Sequence, residues 1–425
     1  MSGGNRNKGG RTGGAKAVLI LQGLATPFFA TLGHKLADTG HTVHKIHFCG
    51  SDWLFRGARH PGITHHKFAG SETDLAAFYA DLINRENITT ILLLGDCRPV
   101  HQPAVMLAKE KGIALYAFDE GYIRPGWITM EIGGTNGFSH MPKDTDQLNT
   151  LAKEASAFSD RTAAIFKPAM MRRAWMDIAG HGANILFRHR FPHYRGHRPE
   201  PVWREAKGWI ARAWRSLVHG RENDRVLSHV TLMHEPYFLV PLQLNSDYQI
   251  RLHSRFSGMP EFIEEVMASF AANAPADASL FFKNHPLDNG LINYRRLIRD
   301  HAKKLGLDER VYFAAGGDLG WFLDHAEGVV LTNSTVGFAA IRKGRPLKAL
   351  GHAIYDLDGI TDPQPLDSFW KNPAAPQQRL AEEFLTVVET YTQVRGDLFS
   401  AEGIECAAEE AVKVVTGTLP RLPAS

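Results

Sequence analysis

Three short stretches of this sequence carry residue types that could act together on a phosphate-bearing substrate. FDEGYIRPG, residues 118–126, places Asp119 and Glu120 where the apolar run IALYA breaks into a turn. A carboxylate held at a strand end can serve as nucleophile or general base beside a reacting carbon; it can equally be a solvated turn or a helix cap. Gly121 would let the backbone bend closely around a ligand. KNHPLD, residues 283–288, sets His285 after a buried strand, with Pro286 fixing the chain behind it. A histidine there can donate to a phosphate oxygen, with Lys283 adding charge, or lie in an ordinary loop. TNSTVGFAAIRKG, residues 332–344, ends a strand at Thr332 and puts Asn333, Ser334 and Thr335 where the next helix begins. Hydroxyls and free N–H groups at a helix start make an anion site, a simple cap, or both at once.

A fourth stretch, GDCRPVH, offers Arg98 and His101 after another buried strand, and Arg124 stands inside the acidic stretch itself. These cations suit a phosphate or carboxylate; alternatively Asp96 and Arg98 form a structural pair under the loop. Cys97 reads as a small packed residue, since nothing nearby clearly lowers its pKa. Residues 245–254, with Asn245, Ser246, Asp247, Gln249, Arg251, His253 and Ser254, form a further polar segment after a strand. No metal set is expected. His41, His44 and His47 are spaced by three, which on a strand sends neighbours to opposite faces.

These stretches need elements to hold them. AVLILQG, HTVHKIHF, ITTILLLGDC and IALYAF read as buried strands, with helices around 27–38 and over PAVMLAKEKG. YFLVPLQL, SLFFKN, RVYFAA, GVVLTN and RPLKAL read as a second series of strands, and residues 377–416 as two helices. Strands alternating with helices imply parallel sheets, whose ligands gather outside the carboxyl ends of the strands. The expected divisions are a tail over 1–14, a Rossmann-like domain over 15–150 with the acids, and a basic helical insert over 151–225. A Rossmann-like donor-binding domain over 226–375 and closing helices over 376–425 complete the chain. That is α/β architecture of the GT-B type, two Rossmann-like domains with an inter-domain cleft.

The 425 residues carry a net charge of only +3, yet residues 161–225 hold fourteen Lys and Arg against five Asp and Glu, a local +9. Within them, VWREAKGWIARAWRSLVHG sets Trp203, Ala206, Ile210, Ala213, Trp214 and Leu217 on one helical face and Arg204, Arg212 and Arg215 on the other. Either the apolar face packs inward and the arginines are solvated, or Trp203, Arg204, Trp209, Arg212, Trp214 and Arg215 meet an anionic membrane surface. Nucleic acid is a poor partner, because no recognised binding module accompanies the charge. Three widely spaced cysteines fit a reducing compartment. The glycine-rich basic start, MSGGNRNKGGRTGGAK, reads as a disordered tail and not a secretory signal, and Ser2 departs from the myristoylation pattern. A soluble or peripheral cytoplasmic protein is expected.

Together, an acid-acid-Gly turn, an HP and a late Ser/Thr pair resemble the pattern of bacterial transferases that use CMP-activated acidic sugars. In order, GDCRPVH, FDEGYIRPGWITME, VPLQLNSDYQIRLHS, KNHP and TNSTVGF followed by GRPLKALG resemble the KpsS-like (LipA/LipB-type) capsule biosynthesis and export proteins, a capsule Kdo transferase family. The resemblance runs from about Ala15 to Thr361. It implies a peripheral inner-membrane enzyme that moves Kdo from CMP-Kdo to a phosphatidylglycerol-type lipid, working beside other capsule proteins. Related transferases retain the β configuration and carry Glu-Asp-Gly where this chain has Asp-Glu-Gly; matching on the glycine puts Glu120 at the key position, with Asp119 as the alternative. Lys283, His285, Pro286, Asn333, Ser334 and Thr335 would then hold the CMP-sugar, and Arg98, His101 and Arg124 the acceptor or the sugar carboxylate. Such a donor has a phosphate and a carboxylate but no diphosphate, so no metal or other cofactor is required. The rivals are a transferase of another CMP-sugar, such as sialic acid, to a glycan, and a non-catalytic subunit that binds the lipid-linked glycan.

Overall fold

The computed structural model describes residues 14–158, 161, 166, 169–196, 202–232, 236–245 and 248–423. They form two α/β units, one of residues up to His140 with 158–195 and 389–425, the other of 141–157 with 196–388. The expected glycine-rich tail lies outside the described residues, apart from Gly14.

The first unit is built on seven strands: β1 Ala17–Ile20, β2 Thr42–His47, β3 Ile63–Lys67, β4 Thr90–Leu94, β5 Ala114–Asp119, β6 Trp127–Ile132 and β12 Gln393–Arg395. Their order is β12-β6-β5-β4-β1-β2-β3. β1 to β5 pair in parallel, so the loops after β1, β4 and β5 emerge along one edge, and the order reverses between β1 and β4. β4 is buried at every position because both of its faces are covered, which explains the apolar run ILLL that follows Thr90. Helices α1 Phe28–Asp38, α2 Gly50–Leu54, α3 Leu75–Arg85, α4 Gln102–Lys111, α6 Met170–Leu186 and α15 Ala401–Thr416 belong to this unit.

Three of these strands, β3, β6 and β12, escape the sequence reading. β6 runs antiparallel to β5, and β12, from the far end of the chain, runs antiparallel to β6. Both follow from pairing that no local pattern announces. β3, at the open edge, has partly exposed residues and a weak apolar signal.

The second unit has five parallel strands in the order β11-β10-β7-β8-β9: β7 Tyr237–Pro241, β8 Ser279–Lys283, β9 Val311–Ala314, β10 Gly328–Leu331 and β11 Leu347–Ala349. Its helices are α5 Thr145–Ala155, α7 Val202–Leu232, α8 Tyr248–His253, α9 Met259–Asn273, α10 Tyr294–Leu305, α11 Leu319–His325, α12 Val336–Arg342, α13 Leu366–Phe369 and α14 Gln378–Tyr391. Phe238, Phe270, Phe369 and Trp370 meet edge to face or tilted in its core.

The basic stretch expected as one insert over 151–225 is divided: α6 joins the first unit and α7 the second. Likewise the closing helices separate, with α15 packed on α1 and most of α14 in the other unit. The cause is visible at α6. Its small residues admit α2 so closely that a Cβ on Gly50 would fall 2.1 Å from the Ala183 carbonyl oxygen, and the Ser51 N–H donates to Asn184 Oδ1 at 2.7 Å. Packing that tight needs glycine and alanine, and α6 supplies Gly180 and Ala183 on that side.

Candidate active site

In the first unit the acids end β5, and they part company there. Asp119 turns back into its own loop: Oδ1 accepts the Glu120 N–H at 2.7 Å and Oδ2 accepts from Asn136 Nδ2 at 3.4 Å. Burial, opposed by that backbone hydrogen bond and by Arg124, holds its carboxyl above the usual aspartate range. Glu120 instead faces cations. Arg173 of α6 donates to both its oxygens, Nη2 to Oε1 at 2.7 Å and Nη1 to Oε2 at 3.1 Å, a bidentate pair. Arg124 Nη1 lies 3.4 Å from Oε2, while Arg124 Nε donates to the Gly121 carbonyl at 2.9 Å. The side chains of Glu120 and Arg173 remain 25% and 30% exposed, so a solute can reach them.

The turn is held from beneath. Gly121 has φ +46°, and a Cβ there would lie 2.1 Å from the Trp127 carbonyl oxygen. Glycine is thus required by the chain's own β6, where the sequence suggested close approach of a ligand. The Tyr122 hydroxyl donates to Glu131 Oε1 at 2.5 Å and accepts the Asn136 N–H at 2.6 Å; the Ser139 hydroxyl donates to Glu131 Oε2. Glu131 is only 1% exposed, and burial pushes its pKa up to about 8 despite the Ser139 and Tyr122 hydrogen bonds. Sequence reasoning passed over Glu131 because it lies within the unrecognised β6.

Arg98 and His101 do not stand open at the sheet edge as expected. Arg98 is buried and donates to the Gly23 carbonyl at 2.8 Å and to Gln22 Oε1 at 3.5 Å, joining the ends of β4 and β1. His101 is fully buried, with Nδ1 2.7 Å from the Gly95 carbonyl oxygen. Nor does Asp96 serve Arg98 as the sequence suggested: its Oδ2 accepts the Thr135 N–H at 2.7 Å. Loop carbonyls and amides inside a sheet edge must find partners, and these side chains supply them. Of the three expected acceptor-binding cations, Arg124 alone stays half exposed beside Glu120.

In the second unit, β8 ends at Lys283 and β10 at Leu331, with β7 between them, so KNHP and TNST emerge at the same edge. Burial lowers the Lys283 ammonium below the usual lysine range, partly offset by Asp318. His285 Nδ1 accepts the Leu287 N–H at 3.0 Å, and Pro286 is exposed. Asn333 is bound twice by Gln243, which follows β7: Gln243 Nε2 donates to its Oδ1 at 3.0 Å and its N–H donates to Gln243 Oε1 at 3.2 Å. Ser334 Oγ accepts the Val336 N–H at 3.2 Å, and Thr335 is the cap position of the short α12 without a side-chain cap bond. Of the polar segment 245–254, residues 246–247 lie outside the described residues; Asn245 Oδ1 accepts the Met259 N–H at 2.9 Å. Among the described residues no group of three or more His, Cys, Asp or Glu side chains could hold a metal ion. His44 pairs with His66 at 3.1 Å and His47 with His65 at 2.9 Å, across β2 and β3.

α7 follows neither sequence alternative in full: its tryptophans face out, but two of its arginines do not. In α7, Arg212 and Arg215 point inward, Arg212 donating to the Pro286 carbonyl at 2.8 Å and to that of Asp288, and Arg215 to that of Gly290. They fasten the helix to the loop after β8, which has carbonyls no strand satisfies. A cavity of ≈ 270 Å³ beside this loop is lined by Arg212, Arg215, Asn284, Asp288, Tyr294 and Arg295 among others. The large apolar residues face out instead: Trp209, Ile210, Trp214 and Leu217, with Trp214 68% exposed. Arg204 is exposed, and the Trp203 side chain lies outside the described residues. α6 repeats the arrangement, exposing Met171, Trp175, Ile178, Ile185 and Leu186 opposite the face that docks on α2. No helix among the described residues is long and apolar enough to cross a membrane.

Two α/β units, one on a mixed and one on a parallel sheet, with acids at a strand end of one and an HP and Ser-Thr edge on the other, are the α/β architecture the sequence anticipated. The capsule polysaccharide biosynthesis protein family matches over residues 89–399, and the chain belongs to that family. It is 34% identical over 380 residues to the capsule polysaccharide export protein KpsS of Escherichia coli, covering 89% of this chain and 96% of that one. To the capsule polysaccharide modification protein LipB of Neisseria meningitidis it is 32% identical over 399 residues, covering 91% and 92%. Among solved structures, the β-Kdo 2,7 transferase of Thermosulfurimonas dismutans KpsC is 16% identical, with a TM-score of 0.41 over 84% of this chain and 92% of that one.

Proposed function

We propose that this protein is a capsule glycosyltransferase that transfers Kdo from CMP-Kdo to a phosphatidylglycerol-type lipid, starting the linker on which the capsule is built. The observation that carries the reading is Glu120: a reachable carboxylate at the end of a buried strand, aimed by arginines, in a chain of the capsule family. Its neighbour Asp119 is committed to the turn, which favours Glu120 as the reacting group. In the retaining course, a Glu120 oxygen bonds to the anomeric carbon as the bond to the CMP phosphate breaks, its electron pair leaving with CMP. The acceptor hydroxyl then displaces the glutamate, giving up its proton. CMP is assigned to the edge of the second unit, where Lys283, His285, Asn333, Ser334 and Thr335 offer a cation, ring and amide donors and hydroxyls. Charge-assisted contacts of this sort are worth about 1.5–3 kcal/mol each, enough for a few to hold the phosphate without a metal.

The outward apolar faces of α6 and α7, flanked by Arg172, Arg188 and Arg190 on α6 and its following turn and by Arg204 and Arg221 on α7, support docking at an anionic inner-membrane surface beside the lipid acceptor. Burying the apolar rows in the headgroup region removes them from water.

The deciding experiment incubates purified protein with CMP-Kdo and phosphatidylglycerol or its lyso form and analyses the lipid by mass. Glu120→Gln should keep the fold and CMP binding and lose transfer by roughly 10²–10⁴. Normal turnover by that variant removes Glu120 from the chemistry. Turnover of CMP-sialic acid instead names the other transferase, and no consumption of any CMP-sugar with lipid present leaves a binding subunit. An inverted product would replace double by single displacement.

A further inference from the structure

Arg173 belongs to none of the motifs, yet it makes the closest contact to Glu120. It comes from α6, 53 positions along the chain, and its guanidinium is held in place on its other side, with Cζ 4.4 Å from the centre of the Phe399 ring. α6 is itself anchored by the Gly180–Ala183 face against α2, so the position of Arg173 does not depend on its own long side chain alone. The bidentate pair uses two of the five N–H groups of a guanidinium, which leaves three. Arg124 stands on the same carboxylate, and its position is fixed by its bond to the Gly121 carbonyl.

An electrostatic difficulty gives this arrangement a purpose. A sugar whose carboxylate is attached to the anomeric carbon brings a negative charge to within a few ångströms of any carboxylate that attacks there. Two like charges about 4 Å apart at an effective dielectric near 20 repel by the equivalent of roughly a thousandfold in affinity. An acid meant for neutral sugars needs no cation at that spot. An acid meant for keto-acid sugars needs one that can serve both carboxylates.

We propose that Arg173, with Arg124 beside it, is the receptor for the carboxylate of the donor sugar: it bridges Glu120 and an anionic group on the anomeric carbon, and so selects keto-acid sugars over neutral ones. The role rests on the reading of Glu120 as the reacting carboxylate. Arg173 keeps one edge of its fork on Glu120 and offers its remaining N–H groups to the substrate, so the incoming charge meets a cation before it meets the acid. Lysine, a point charge without a fork, can serve the two anions only in part.

The test compares wild type, Arg173→Met and Arg173→Lys with CMP-Kdo and with its analogue in which the carboxyl is reduced to an alcohol. Wild type should favour the acid donor by about 10²-fold or more in kcat/KM. Arg173→Met should lose that preference: whatever it loses on the reduced donor through the aim of Glu120, its loss on CMP-Kdo should be about 10²-fold greater, while its affinity for CMP alone and its melting temperature stay near wild type. Arg173→Lys should recover part of the loss. If the two losses multiply, so that the variant discriminates as wild type does, Arg173 does not read the carboxylate and the proposal is overturned. A second readout needs no turnover: free Kdo against its carboxyl-reduced form, followed by ligand-observed NMR. Preference for the acid in wild type and none in Arg173→Met upholds the receptor even if no CMP-sugar is consumed, in which case the transferase reading alone fails. Absence of that preference in wild type overturns the receptor.

Discussion

Replacing Glu131 by glutamine isolates one buried titrating group. The carboxyl accepts from Tyr122 and Ser139 and is 1% exposed. Its pKa rises from a usual value of 4.5 to about 8, chiefly through burial. Between those values the folded chain holds a proton that the unfolded chain has lost. Stability from this group is therefore fully present below about pH 4.5 and falls as pH rises, by up to about 1.4 kcal/mol per pH unit, until about pH 8. The whole gap amounts to about 4–5 kcal/mol, and the part between pH 5 and pH 7 to about 2–3 kcal/mol. Glutamine keeps the Tyr122 bond at its carbonyl, and the Ser139 hydroxyl turns from donor to acceptor of the amide, as it can for the protonated carboxyl. Glu131→Gln should therefore lie within about 1 kcal/mol of wild type at pH 5 and be more stable by about 2–4 kcal/mol at pH 8. Denaturant unfolding of both proteins at several pH values gives the difference directly, and every other titrating group cancels in it. Parallel stability curves from pH 5 to pH 8 would refute the claim that Glu131 is held neutral.

Glu410 presents the opposite case: burial pushes its carboxyl up, but hydrogen bonds and charge from Arg395 and Arg161 outweigh it and hold the group below the usual range. Glu410→Gln should cost about 3–5 kcal/mol at pH 7 by leaving two arginines without their anion, and the wild-type advantage should fade in acid as pH falls through the folded pKa, below 4.5. Unfolding curves at pH 7 and at a series of pH values descending from 4.5 check both. For the membrane surface, Trp175→Ser, Ile178→Ser, Trp214→Ser and Leu217→Ser combined should leave the melting temperature near wild type, since all four side chains are exposed. Binding to phosphatidylglycerol vesicles should fall at least about tenfold, from the loss of apolar contact, and wild type should bind phosphatidylcholine vesicles weakly. Unchanged sedimentation with phosphatidylglycerol vesicles would move the contact elsewhere.

How much of this was legible depends on how local the cause is. β1, β4, β5, β7, β8 and β10 show in the sequence because strands covered on both faces must be apolar throughout. The acids, KNHP and TNST show because they follow those runs directly. β6 and β12 stay hidden, for their identity lies in an antiparallel pairing that joins residues 127–129 to residues 393–395.

The sequence by itself determined that two series of alternating strands and helices exist, that polar loops follow their carboxyl ends, and that a cationic, tryptophan-bearing stretch lies between them. It also determined that α7 has two unlike faces. Which face turns inward was decided only by the tertiary structure, because the helical period is blind to what waits on either side. Unsatisfied carbonyls at 286–290 and the Glu120 carboxylate draw arginines in, and the glycine-tight contact with α2 admits only small residues, so the large apolar side chains are left outside. The same docking brings Arg173 to Glu120, a meeting of residues too far apart in the chain for any spacing rule to report.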